Sequence, residues 1–133
     1  MSLNKTELRK LQSFLRRSFA NDGLRLTLDP KDTDKAVVDL GEIKIGSLSV
    51  DDEDGDRSFA FEMSIPVDRA TLQEYLRKLF DNDKLRIVGR MKKTDSVELN
   101  NGDDFLGVVS ADDNAGGSYT LQMAILDFDL EDL

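Results

Sequence analysis

Leu11-Gln12-Ser13-Phe14-Leu15-Arg16-Arg17-Ser18-Phe19-Ala20-Asn21-Asp22-Gly23-Leu24-Arg25 returns sixty-one residues later as Leu72-Gln73-Glu74-Tyr75-Leu76-Arg77-Lys78-Leu79-Phe80-Asp81-Asn82-Asp83-Lys84-Leu85-Arg86. Nine of the fifteen positions are identical, and Phe14/Tyr75 and Arg17/Lys78 are conservative pairs. The correspondence continues outward: Gly41, Gly46, Ser49, Asp51 and Gly55 fall on Gly102, Gly107, Ser110, Asp112 and Gly116. After a one-residue deletion the offset is sixty, and Ser58, Met63 and Ile65 match Ser118, Met123 and Ile125. An internal repeat fixes the architecture before any single residue is interpreted. The copies are expected to span 1–66 and 67–133.

Each copy begins with a helical pattern. Leu8, Leu11, Phe14, Leu15 and Phe19 recur every three or four residues, as do Leu72, Tyr75, Leu76, Leu79 and Phe80. Asn4 with Glu7 has the form of a capping box, and Asp68 follows Pro66 as the N-cap of the second helix. Asn21-Asp22-Gly23 is a stop signal, with Gly23 the expected left-handed residue. The apolar period then falls to two. Leu24, Leu26 and Leu28 read as a first strand, 35–40 as a second, 43–50 as a third, and Phe59, Phe61, Met63 and Ile65 as the inner face of a fourth. Turns at Gly41-Glu42 and Asn100-Asn101-Gly102-Asp103 join hairpin strands. The apolar alternation changes face at Gly46 and at Gly107, which signals a bulge or a close backbone approach. The expected fold class is α+β, each copy one helix followed by a four-stranded antiparallel meander, with the copies related by a pseudo-two-fold.

A chain of 133 residues, 39% hydrophobic, buries roughly 70% of its unfolded surface, and half that length would be marginal alone. The copies are therefore expected to share a core in one compact unit. The net charge of −9 argues against non-specific nucleic-acid binding, which depends on phosphate neutralisation by Lys and Arg. The chain has no Cys and no His, so disulfides, thiolate catalysis and the usual neutral-pH general base are excluded. No apolar run reaches the ~20 residues of a membrane span, and the expectation is a cytoplasmic monomer with neither membrane nor nucleic-acid partner.

Three features invite functional readings. The acidic turn containing Asp51, Asp52, Asp54 and Asp56 offers carboxylates to a divalent cation. It does not have EF-hand register: with Gly55 at the sixth loop position, Val50 and Phe61 take the first and twelfth. Its other reading is a solvated hairpin turn. The C-terminal Asp127-Phe128-Asp129-Leu130 reads either as the end of an edge strand or as an exposed strand or tail that pairs with a partner's sheet edge. Arg16 and Arg77, repeated in both copies, belong either to solvated helix faces or to a docking face for an anionic partner.

Leu72-Gln73-Glu74-Tyr75-Leu76-Arg77-Lys78-Leu79-Phe80, Gly102-Asp103-Asp104-Phe105-Leu106-Gly107-Val108 and Met123-Ala124-Ile125-Leu126-Asp127-Phe128-Asp129-Leu130 resemble an alphaproteobacterial family known as domain of unknown function 3126. Its members are typically a single copy. The first copy departs at Lys44, where the pattern has an aromatic, and at Ser64-Ile65-Pro66, where it runs into the second helix. The resemblance implies a tandem duplication and brings no activity with it. With no phosphate loop, nucleophile elbow or metalloprotease signature, the leading expectation is a non-enzymatic protein-interaction or adaptor module that needs no cofactor. The alternatives are a small-ligand or divalent-cation binder using the acidic turns and, by analogy, a client binder of the secretion-chaperone kind.

Overall fold

The computed structural model describes residues 3–51, 57–89, 96–111 and 118–131. Helix α1 (Lys5–Phe19) is followed by β1 (Leu24–Leu28), β2 (Lys35–Leu40), β3 (Ile43–Asp51) and β4 (Ser58–Ile65). A 3-10 turn (Arg69–Thr71) then runs into α2 (Leu72–Phe80), followed by β5 (Leu85–Gly89), β6 (Ser96–Asn101), β7 (Asp104–Ala111) and β8 (Tyr119–Leu126). A final 3-10 turn covers Asp127–Leu130. The protein is thus α+β, with both helices packed on a single antiparallel sheet.

The expected start of α1 is present. Asn4 Oδ1 accepts the Glu7 N–H at 2.8 Å while Glu7 Oε1 accepts the Asn4 N–H, a complete capping box. Asp68, expected to cap the second helix, instead caps the 3-10 turn that leads into it by accepting the Thr71 N–H, and α2 itself starts after Thr71 without a side-chain cap. The helix ends differ from expectation. The left-handed residue is Ala20 (φ 53°), and in the second copy Asp81 (φ 51°), rather than Gly23. In both copies the next residue, Asn21 or Asn82, donates its N–H to the carbonyl of Arg16 or Arg77 at 3.0 Å. This backbone closure forces positive φ on a residue with a Cβ, at a cost of roughly 1–2 kcal/mol. Ala20 is exposed, so Ala20→Gly is expected to raise stability by about 0.5–1 kcal/mol in a denaturant titration.

The sheet has eight strands in the order β1-β2-β3-β4-β8-β7-β6-β5. The copies therefore meet through β4 and β8, which pair along their whole length from Ser58↔Leu126 to Ile65↔Tyr119. Phe59, Phe61, Met63 and Ile65 alternate into the core from one strand, and Leu121, Met123 and Ile125 from the other. Above them the helix C-termini touch. The rings of Phe19 and Phe80 stack with centroids 4.1 Å apart, and Phe61 meets Phe19 edge-on. Asn21 Nδ2 donates to Phe80 O at 2.7 Å, and Asn82 Nδ2 donates to Phe19 O at 3.0 Å. Each asparagine thus satisfies a terminal carbonyl of the other copy's helix. The expected shared core is present, as one cluster spanning both copies.

The free edges of the sheet are β1 and β5. In each copy the helix covers that edge with the same two side chains. Gln12 Oε1 accepts the Leu26 N–H and Arg16 Nε donates to Leu24 O. Gln73 and Arg77 do the same for Ile87 and Leu85. Occupied edge groups cannot template another strand. Leu28, grouped by its spacing with Leu24 and Leu26, is exposed instead.

Candidate functional site

Both glycine signals resolve into a bulge combined with a close approach. In β3, Val38 pairs with Gly46 but Asp39 pairs with Lys44, so Ile45 is the extra residue. In β7, Leu99 pairs with Gly107 but Asn100 pairs with Phe105, so Leu106 is extra. A Cβ at Gly107 would lie 2.5 Å from the Gln122 carbonyl oxygen and 2.7 Å from Met123 Cγ. Gly46 lies against the carbonyl of Glu62 in the same way. Beyond these glycines the strands part. β7 pairs with β8 only from Val108 to Ala111, leaving β8 residues 123–126 paired with β4 alone. β3 likewise pairs with β4 only from Ser47 to Asp51.

Each parting opens a space between a hairpin and the helix of the other copy. At the β7–β8 parting there is one cleft of about 710 Å³. Phe14 and Ser18 of α1 line one side, Phe105 and Leu106 the other, with Ala60, Met123 and Ala124 between them. At the β3–β4 parting the equivalent space is two smaller clefts of about 320 and 260 Å³. Alignment of the repeats shows the physical difference. Ser18, Ala60 and Ala124 stand where the other copy has Leu79, Thr120 and Ser64, and Leu79 is the side chain lining the smallest cleft. The single larger cleft is the one with Ser18 and Ala60 in place of the bulkier Leu79 and Thr120. Phe105, which lines the open cleft, is 58% exposed, and Leu126 and Phe128, which lie between the lining residues Ala124 and Asp129 in sequence, are exposed as well.

The C-terminal segment is not the end of an edge strand. β8 is a central strand, not an edge, and Asp127–Leu130 forms a 3-10 turn rather than continuing the strand. Leu130 is buried, and the turn packs on α1. Asp129 Oδ2 accepts the Leu126 N–H at 3.0 Å and also lines the open cleft. Phe128 points to solvent, and Asp127 is exposed. Arg16 and Arg77 sit at opposite ends of the sheet, half-buried on the strand edges they cover.

Asp51 is exposed at the end of β3, and Ser58 Oγ donates to its backbone carbonyl. Asp52, Asp54 and Asp56 lie outside the described residues. Among the described residues no group of three potential ligands could hold a metal ion, and no helix is long and apolar enough to cross a membrane. Among the described residues, the Glu7 carboxyl has a displaced titration. Burial alone would raise it, but Arg57, which donates Nε at 2.5 Å and Nη2 at 2.9 Å, and the Asn4 backbone N–H together hold it below the ordinary value. That pair ties the start of α1 to the start of β4 and is remote from the cleft in role.

Repeat identity does not mark Ser18 or Ala60, whose signal is the opposite one: positions where the copies differ in side-chain volume.

No curated protein and no solved structure matches the chain. A family model described as "Protein of unknown function (DUF3126)" matches it twice, over residues 7–68 and 68–129. The chain therefore belongs to the DUF3126 family and carries that domain in tandem.

Proposed function

We propose that the protein is a non-enzymatic interaction module in which the cleft between α1 and the β6–β7 hairpin receives apolar side chains from a segment of a partner protein. The observation that carries this reading is the asymmetry of the repeat. Of two equivalently placed spaces, only the one lined by Ser18, Ala60 and Ala124 is continuous, and it has the exposed Phe105 at its mouth. An apolar concavity with a few polar groups is the ordinary form of a binding site.

The reading also takes the copies to be related by an intramolecular pseudo-two-fold, with the chain acting as a cytoplasmic monomer. The palindromic strand order, the centred β4–β8 register and the reciprocal Asn21 and Asn82 bonds support this. The covered β1 and β5 edges favour a monomer as well.

The test is Ser18→Leu, which gives α1 the residue that α2 carries at Leu79. Proteins retained from a lysate of the source cells by the wild-type chain are expected to be lost from the variant, at an unchanged melting temperature. Equal retention by both would sink the reading. A point substitution is the cleaner probe, because ending the chain after Ile125 would remove buried Leu130 and the Asp129 cap on β8.

A further inference from the structure

We infer that the segment received by this cleft is cationic, an apolar core flanked by Lys or Arg, and that Glu62 and Asp129 select it. The inference rests on the proposed function above and adds the chemistry of the partner.

Glu62 and Asp129 both line the open cleft and no Lys or Arg does, although Arg17 lies over the ring of the lining Phe14, 5.8 Å from its centroid. Among the described residues Glu62 makes no ion pair, and it is exposed. One oxygen of Asp129 is engaged by the Leu126 N–H, and the carboxylate is half-buried, where a neighbouring cation is less screened than in bulk water. The divided counterpart is different. Lys44 lines both of its smaller clefts, at the position that Phe105 takes in the open one. The open site thus has an aromatic where the divided one holds Lys44, which shares its larger cleft with Glu62, while Asp129 lines the open site and neither of the smaller clefts. The net charge of −9 acts in the same direction, favouring encounter with basic segments and disfavouring acidic ones. A peptide fits better than a compact ligand, because the exposed Leu126 and Phe128 add apolar surface in the segment that leads to the lining Asp129. β8 also runs from Met123 to Leu126 without a β7 partner, which gives an extended chain backbone groups to pair with.

The experiment is calorimetric titration of the full chain with three synthetic peptides that share one Leu/Phe core and are flanked by Lys, Ser or Glu. The Lys-flanked peptide is expected to bind about tenfold more tightly than the Glu-flanked one, with a preference that shrinks at high salt. In Glu62→Gln the preference is expected to fall severalfold while the Ser-flanked peptide binds unchanged. In Ser18→Leu all binding is expected to disappear. Asp129→Asn, which keeps an oxygen for the Leu126 N–H, is a second probe, with its melting temperature as the check on the cap. Equal affinity for the three peptides, abolished by Ser18→Leu, would overturn the charge selection and leave the cleft as the binding site. Binding indifferent to Ser18→Leu, or no binding of the Lys-flanked peptide at about 1 mM, would overturn both.

Discussion

Phe19→Ala is expected to destabilise the whole chain by about 3–5 kcal/mol, the usual cost of truncating a fully buried aromatic. Phe19 has no solvent exposure, stacks on Phe80 and meets Phe61 edge-on, so its removal vacates the one place where both helices and β4 converge. The void cannot be closed by a local shift, because the β4–β8 ladder and the two asparagine bonds hold the copies at fixed separation. Against a total stability of ~5–15 kcal/mol this is a large fraction. At about 4 °C per kcal/mol for a chain of this size, the melting temperature should fall by roughly 12–20 °C. A single cooperative transition is expected before and after, since the residue belongs to both copies. Two resolved transitions in the calorimeter would mean that the copies fold separately, contrary to one shared core.

Gly107→Ala is expected to cost about 3 kcal/mol or more, the upper part of the range for overpacking. The new methyl would strike the Gln122 carbonyl, which is backbone, as well as Met123 Cγ. Relief requires β7 to move off β8, which breaks the short ladder from Val108 to Ala111. It also moves the wall of the cleft, so peptide binding should be lost along with stability. Gly89→Ala is the control. No atom lies within 4 Å of a Cβ built there, so a change within about 0.5 kcal/mol is expected from urea denaturation. If both substitutions proved equally mild, the close approach at Gly107 would not be a structural constraint.

Much of the fold was legible because it is written locally. The Asn4–Glu7 box, the Asp68 cap and the alternation in 59–65 and 119–125 depend on residues close together in sequence, and the repeat doubled each signal. The departures have specific causes. Gly23 looked like the left-handed residue by composition, but the closing bond from Asn21 to Arg16 sets that conformation at Ala20. Asp127-Phe128-Asp129-Leu130 alternates like a strand, yet four alternating residues are equally compatible with a 3-10 turn that buries Leu130 and exposes Phe128. The edge-covering roles of Gln12, Arg16, Gln73 and Arg77 depend on how each helix lies against its strand, which spacing does not encode. The pairing of β4 with β8, and hence one sheet instead of two, is a non-local choice. The cleft was the least legible feature, since it arises from small residues on three separate elements that converge only in the folded chain.

The most direct test of the account is an amide chemical-shift map of the full chain titrated with the Lys-flanked peptide. The account predicts perturbations at Phe105, Leu106, Gly107 and Ala124, with the equivalent positions Lys44, Ile45, Gly46 and Ser64 unmoved. Equal perturbation of both sets, or of neither, would contradict the claim that the duplicated chain holds one continuous site and one divided one.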